Sequence, residues 1–157
     1  MSGNSPRLLK CACPCGSATF AATGKPIARF YCHCLICQKL YRRPYADVTV
    51  WWGGQVTPPA ESTVTYRRYR LPPALRRGTC RSCGLPVLGT LWLAPFVELA
   101  FVPARNVKAR NLLPDPVVHV FYHRRVKDID DRLPKVSGYW PSEFAMTRLV
   151  MGSLVRR

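Results

Sequence analysis

Eight cysteines in 157 residues fall into three short groups, with one left over. The groups are Cys13-Pro14-Cys15-Gly16, Cys32-His33-Cys34-Leu35-Ile36-Cys37 and Cys80-Arg81-Ser82-Cys83-Gly84, and Cys11 stands beside the first. A gap of one or two residues between thiolates, closed by a glycine that admits positive φ, turns both sulfurs toward one ion while backbone N–H groups face them. This spacing predicts metal ligation. The first and third groups together supply four thiolates, Cys13, Cys15, Cys80 and Cys83, the closed tetrahedral set of a structural zinc. The middle group supplies three, Cys32, Cys34 and Cys37, from one segment. Three ligands and an open position are the pattern of a zinc that does chemistry. The expected cofactor is zinc at two sites, the second held loosely enough to exchange or depart, because three thiolates leave the metal electron-rich.

In an extended segment Cys32 and Cys34 project to one side and His33 to the other, so His33 reads as a hydrogen-bonding partner of the site rather than a ligand. Cys37 returns from the following turn. Two other sources of a fourth ligand stay open. Cys11 would close the middle site by dividing the cysteines into two fours, and His119 with His123 would share a face if their segment is a strand. Lys39, Arg42 and Arg43 follow the middle group. They predict positive charge near its sulfurs, lowering thiolate pKa and holding an anionic thiol substrate.

The elements that must carry these groups read as an all-β protein, mainly antiparallel. There are 15 prolines and 10 glycines, and turn residues recur at short intervals between runs rich in Val, Thr, Tyr and Trp. Expected strands are Leu8–Ala12, Ser17–Ala22, Ile27–Tyr31, Tyr45–Trp51, Val64–Tyr69, Leu75–Thr79, Val87–Leu93, Val97–Val102 and Val117–Tyr122. A short helix is expected over Leu35–Tyr41. Pro141-Ser142-Glu143 predicts the first turn of a C-terminal helix ending near Leu154, since proline at the first helical position forfeits no hydrogen bond. One domain is expected, residues 1–157, with a core over about 10–140 and the helix over about 141–154. Thr57-Pro58-Pro59-Ala60 and Leu71-Pro72-Pro73 read as stiff connectors.

Net charge is +16, from 18 arginines and 6 lysines against 8 acidic residues. Such a charge attracts polyanions nonspecifically, but the arginines are scattered, which predicts weak nucleic-acid binding at most. The apolar run Leu85–Val102 is broken by Pro86, Gly89, Pro95 and Glu98, so it reads as two strands and a turn and not as a membrane span. The first ten residues hold no apolar stretch of a secretory leader. Reduced thiols and a cytoplasmic location are the expectation.

With the three groups in place, the chain resembles the glutathione-dependent formaldehyde-activating enzyme family, which also includes centromere protein V. The family pattern C-x-C-G, then C-H-C-x-x-C, then C-x-x-C-G is met by the three groups quoted above, and the Asp128 to Gly138 segment with Leu133-Pro134 is similar to its usual ending. The resemblance implies a β-tent of antiparallel sheets joined at a zinc, with Cys13, Cys15, Cys80 and Cys83 on that structural zinc and Cys32, Cys34 and Cys37 on a catalytic one. It implies a carbon–sulfur lyase that joins glutathione to formaldehyde, as in S-(hydroxymethyl)glutathione synthase. Thr79 stands where the family commonly has phenylalanine, and the basic stretch Pro103 to Lys108 replaces an acidic turn. The alternative is a noncatalytic zinc module whose basic surface binds nucleic acid or another polyanion. Tyr66-Arg67-Arg68-Tyr69-Arg70 carries that reading, by interleaving rings with cations.

Overall fold

The computed structural model describes residues 6–70 and 75–156. In chain order its strands are β1 (Leu8–Ala12), β2 (Thr19–Thr23), β3 (Ala28–Cys32), β4 (Ala46–Trp52), β5 (Val56–Thr57), β6 (Val64–Arg68), β7 (Arg76–Cys80), β8 (Pro86–Ala94), β9 (Val97–Pro103) and β10 (His119–Val120). Helix α1 (Leu35–Tyr41) follows β3, and α2 (Tyr139–Val155) ends the described chain. A three-stranded sheet runs β1-β2-β5 and a seven-stranded sheet runs β10-β3-β4-β9-β8-β7-β6. Every pairing between these strands is antiparallel except β10 with β3. This is the expected antiparallel all-β class with a C-terminal helix.

Residue type explains the strand faces. In β3, Ala28, Phe30 and Cys32 alternate inward while Arg29 and Tyr31 are only half-buried, the period-2 pattern of a strand with one covered face. Central β4 is buried along most of its length. Its Thr49 tolerates this because its hydroxyl donates to the Val102 carbonyl at 2.8 Å and accepts from Trp51 Nε1 at 2.8 Å. The core divides in two, and each half holds one set of cysteines. Cys13 and Cys80 pack with Phe20, Trp51, Val87 and Val107, whereas Cys32 and Cys37 pack with Phe30, Val48, Leu99 and Phe121.

Two expected elements differ. The strand expected over Val117–Tyr122 shrinks to His119–Val120, because Phe121 takes the left-handed conformation at φ 54° and turns the chain. Pro141 is not the first helical residue, since α2 begins two positions earlier, after Gly138 at φ 96°. The helix is fixed to the sheet by Ser142, whose buried hydroxyl accepts the Phe121 N–H at 2.8 Å and donates to the Gly138 carbonyl at 2.6 Å. Ser142→Ala is therefore expected to cost about 1–3 kcal/mol by leaving a buried N–H unpaired. Amide exchange should speed up in α2 while the β4–β9 amides are unaffected, and uniform acceleration would contradict this.

The Leu85–Val102 run forms the β8–β9 hairpin, with Phe96 at φ 72° and fully exposed at its tip. Among the described residues no helix is long and apolar enough to cross a membrane. The connector at Leu71-Pro72-Pro73 lies outside the described residues.

Candidate metal centres

The first and third cysteine groups meet. Cys13 and Cys15 lie on the turn after β1, where Gly16 N–H bonds the Cys13 carbonyl at 2.9 Å, and Cys80 ends β7, where Gly84 N–H bonds the Cys80 carbonyl at 2.8 Å. Gly16 at φ 81° and Gly84 at φ 71° make these returns without the strain a Cβ would bring. The four Sγ atoms of Cys13, Cys15, Cys80 and Cys83 lie within 4.8 Å of one another. Cys13–Cys15 is 3.3 Å, and Cys13–Cys80 and Cys15–Cys80 are each 3.6 Å. Sulfurs arranged tetrahedrally at ~2.3 Å from a zinc stand ~3.8 Å apart, so the donor set fits one ion with little movement. The Ala18 N–H donates to Cys13 Sγ at 3.3 Å, supplying the backbone donor that a coordinated thiolate needs. Burial pushes the Cys13 thiol up, whereas the Ser17 hydroxyl beside the exposed Cys15 draws it down to about 6.

The middle group forms a second centre. Cys32 ends β3, Cys34 precedes α1 in an extended conformation, and Cys37 sits in the first turn of the helix. Cys34 Sγ accepts the Cys37 N–H at 3.4 Å, taking the N-cap role usually filled by a serine or aspartate oxygen. Gln38 Nε2 secures the segment, donating to the carbonyls of His33 at 2.6 Å and Arg124 at 2.7 Å. The three Sγ atoms also lie within 4.8 Å of one another, a facial set that fits a tetrahedral ion with one position open. Hydrogen bonds from the Cys32 and Cys37 thiols draw Cys34 down to about 2 against the cost of burial, with the Cys37 N–H and the Arg77 cation adding to the effect. Cys37 is pulled down by its Cys32 contact, but the Cys34 thiolate and burial outweigh it and push it up to about 12. A metal cation bound among these crowded thiols would favour their thiolate forms.

None of the alternative fourth ligands joins this set among the described residues. Cys11 packs in the other half of the core, where burial pushes it up to about 11. His123 is separated from His119 by the turn at Phe121, and its Nδ1 accepts the Gly138 N–H at 2.8 Å. His33 points away from the sulfurs' side into a buried relay. His33 Nε2 meets His119 Nδ1 at 2.8 Å, and His119 Nε2 meets Asp131 Oδ2 at 2.8 Å. A carboxylate only accepts, so His119 carries its proton on Nε2 and accepts the His33 Nε2–H at Nδ1. Lys135 and then His119 hold Asp131 down at about 2, and burial lowers His33 to about 4. The relay fixes the ring between Cys32 and Cys34, and the hydrogen-bonding role expected of His33 is met by partners, His119 and Asp131, that lie too far along the chain to be read from its spacing. His119→Ala is expected to cost about 2–4 kcal/mol, combining a cavity with an unpaired buried N–H. Urea unfolding checks it, and a loss under ~1 kcal/mol would contradict a structural role for the relay.

A cavity of about 270 Å³ opens beside Cys32, Cys34 and Cys37, walled by the large sheet and by α2. Among the described residues its charged lining is Arg70, Arg77 and Glu143. Arg70 pairs with Glu143 at 3.3 Å and lies over the Tyr139 ring at 4.8 Å. Arg77 has no ion-pair partner among the described residues. Lys39, Arg42 and Arg43 do not line this cavity. Arg42 takes the left-handed conformation at φ 52°, which ends α1 and turns the chain away, and its guanidinium reaches the other centre. A Cβ on Gly84 would stand 3.1 Å from Arg42 Nη2.

Two sheets whose two cores each adjoin a cluster of free thiols, one of four and one of three, define a β protein with two candidate metal centres. The glutathione-dependent formaldehyde-activating enzyme family model matches residues 8–124, and the chain belongs to that family. No curated protein matches it significantly. The match ends before the Asp128–Gly138 segment and before α2.

Proposed function

We propose that this protein is a carbon–sulfur lyase that joins or cleaves a thiol–aldehyde adduct at a zinc held by Cys32, Cys34 and Cys37, with a structural zinc on Cys13, Cys15, Cys80 and Cys83. The observation that carries the reading is a cluster of three sulfurs that has no fourth protein ligand among the described residues and faces a cavity. A zinc bound there would supply an open coordination position and lower the pKa of a thiol reaching it. Cys34 and its neighbours hold the negative charge that recruits the ion, and Arg77 offsets that charge from the cavity wall. The apolar walls exclude water, which strengthens these interactions and protects the adduct.

In the synthetic direction the thiol sulfur bonds to the aldehyde carbon, the C=O π pair moves to oxygen, and the oxygen takes the proton that the thiol gave up. Cleavage reverses each movement. Holding sulfur and aldehyde together removes much of the entropic cost of their encounter. Glutathione and formaldehyde are the pair named by the family, and Lys39, Arg42 and Arg43 at the surface end of α1 serve as long-range attraction for an anionic thiol rather than as contacts. Exchange spectroscopy with labelled formaldehyde and glutathione tests the reading. The zinc-loaded protein should accelerate exchange between free and adduct carbon with glutathione or with an apolar thiol in its place, and exchange at the uncatalysed rate with both thiols would refute it.

The alternative, a noncatalytic module, draws on β6, an edge strand with Arg67 and Arg68 exposed. Of the two rings in that segment, Tyr66 is covered by Arg76 at 4.8 Å, while Tyr69 is exposed. Nucleic-acid binding is expected to be weak and to fall steeply with salt, because scattered arginines neutralise phosphates without reading bases. Sequence-selective binding that persists at high salt would favour the module instead.

A further inference from the structure

We infer that the cavity beside the three-cysteine centre selects a thiol, or its aldehyde adduct, with a compact apolar body such as an aryl or short alkyl group, in preference to a charged tripeptide thiol. The inference rests on the lyase reading above and names its substrate class. Its first support is the lining. From the cysteines outward the walls are Phe30, Leu88, Leu91, Leu99, Phe101 and Met146, and few polar groups interrupt them.

The second support is charge. Glutathione carries two carboxylates and an ammonium, each of which loses its hydration on entering such a cavity unless it meets a partner. Of the three charged lining residues, Arg70 and Glu143 are engaged with each other. Arg70 also lies over the Tyr139 ring at 4.8 Å and near the Phe121 ring at 5.9 Å, so the pair ties α2 to the cavity wall. That leaves Arg77, one cation beside the sulfurs, which matches a single negative charge at the reacting end.

The third support is the origin of the wall. Met146, Leu149 and Val150 come from α2, which lies beyond the residues that the family model matches. Phe121 is aimed here by its left-handed backbone, which Ser142 of the same helix holds through its hydroxyl. One wall of the selecting surface is thus contributed by a part of this chain outside the family match, while the centre that does the chemistry lies inside it.

Calorimetric titration of the zinc-loaded protein with three thiols tests the proposal without measuring turnover. 2-Phenylethanethiol supplies an apolar body, 2-mercaptoethanol the same reactive group without one, and glutathione the charged tripeptide. The aryl thiol should bind at least ~10-fold more tightly than either of the others, a modest fraction of what full burial of a ring gives. Met146→Gln should remove most of that preference and leave 2-mercaptoethanol unchanged. The wild-type ranking decides the matter even if the variant folds poorly. Glutathione binding as tightly as the aryl thiol, or more tightly, would overturn the inference and leave the lyase reading standing. Binding of none of the three would bring down the lyase reading, and the inference with it.

Discussion

Replacing Cys83 by serine is expected to leave the chain unfolded at ambient temperature. The four-cysteine centre joins the turn after β1 to the turn after β7, across the 64 residues between Cys15 and Cys80. Closing so long a loop is where a metal clip contributes most. Apparent binding energies of structural zinc are about 10–16 kcal/mol, as large as the whole stability of a typical domain at about 5–15 kcal/mol. Cys83 is one of only four ligands, and a serine hydroxyl is a poor replacement for a thiolate. The loss should appear as a vanished cooperative transition in thermal melts followed by near-ultraviolet circular dichroism. A variant that melts within a few degrees of the wild type would show that the centre does not carry the fold.

Cys34→Ser is expected to behave in the opposite way, folding normally while losing one metal per chain and more than ~100-fold of its activity, beyond what loss of a mere supporting partner costs a metal site. Serine is itself a favoured N-cap, so its hydroxyl takes over the bond from the Cys37 N–H and α1 keeps its start. The second core also has much to hold it without metal, since Phe30, Val48, Leu99 and Val120 are buried there. Metal content, melting temperature and turnover measured on one preparation check the claim. Destabilisation equal to that of Cys83→Ser would mean that both centres are structural.

Local rules made the cysteine clusters and most strands readable. The cysteine spacings and their glycines depend on turns a few residues long, and β1 falls on Leu8–Ala12 as its alternation predicts. The helix over Leu35–Tyr41 also appears at its expected bounds. Beyond the meeting of the first and third cysteine groups, what distant packing decides was not readable. Lys39, Arg42 and Arg43 follow the middle cysteines in the chain, yet the left-handed turn at Arg42 carries that region away, and Arg77 arrives from β7 to stand by the sulfurs. Asp131, His119 and His33 form one chain of hydrogen bonds only because β10 lies parallel to β3. The cavity has no sequence signature either, since its walls come from side chains of five strands and two helices that meet only in the folded molecule.

The proposed second centre consists of three protein sulfurs and an open position. Cobalt in place of zinc reports it directly, because thiolate-to-cobalt charge-transfer intensity scales with the number of sulfurs bound. The protein alone should show four sulfurs at one centre and three at the other, and a small thiol should raise the second count to four while leaving the first untouched. Four protein sulfurs at both centres without added thiol, with the fourth lost in Cys11→Ser, would contradict the account.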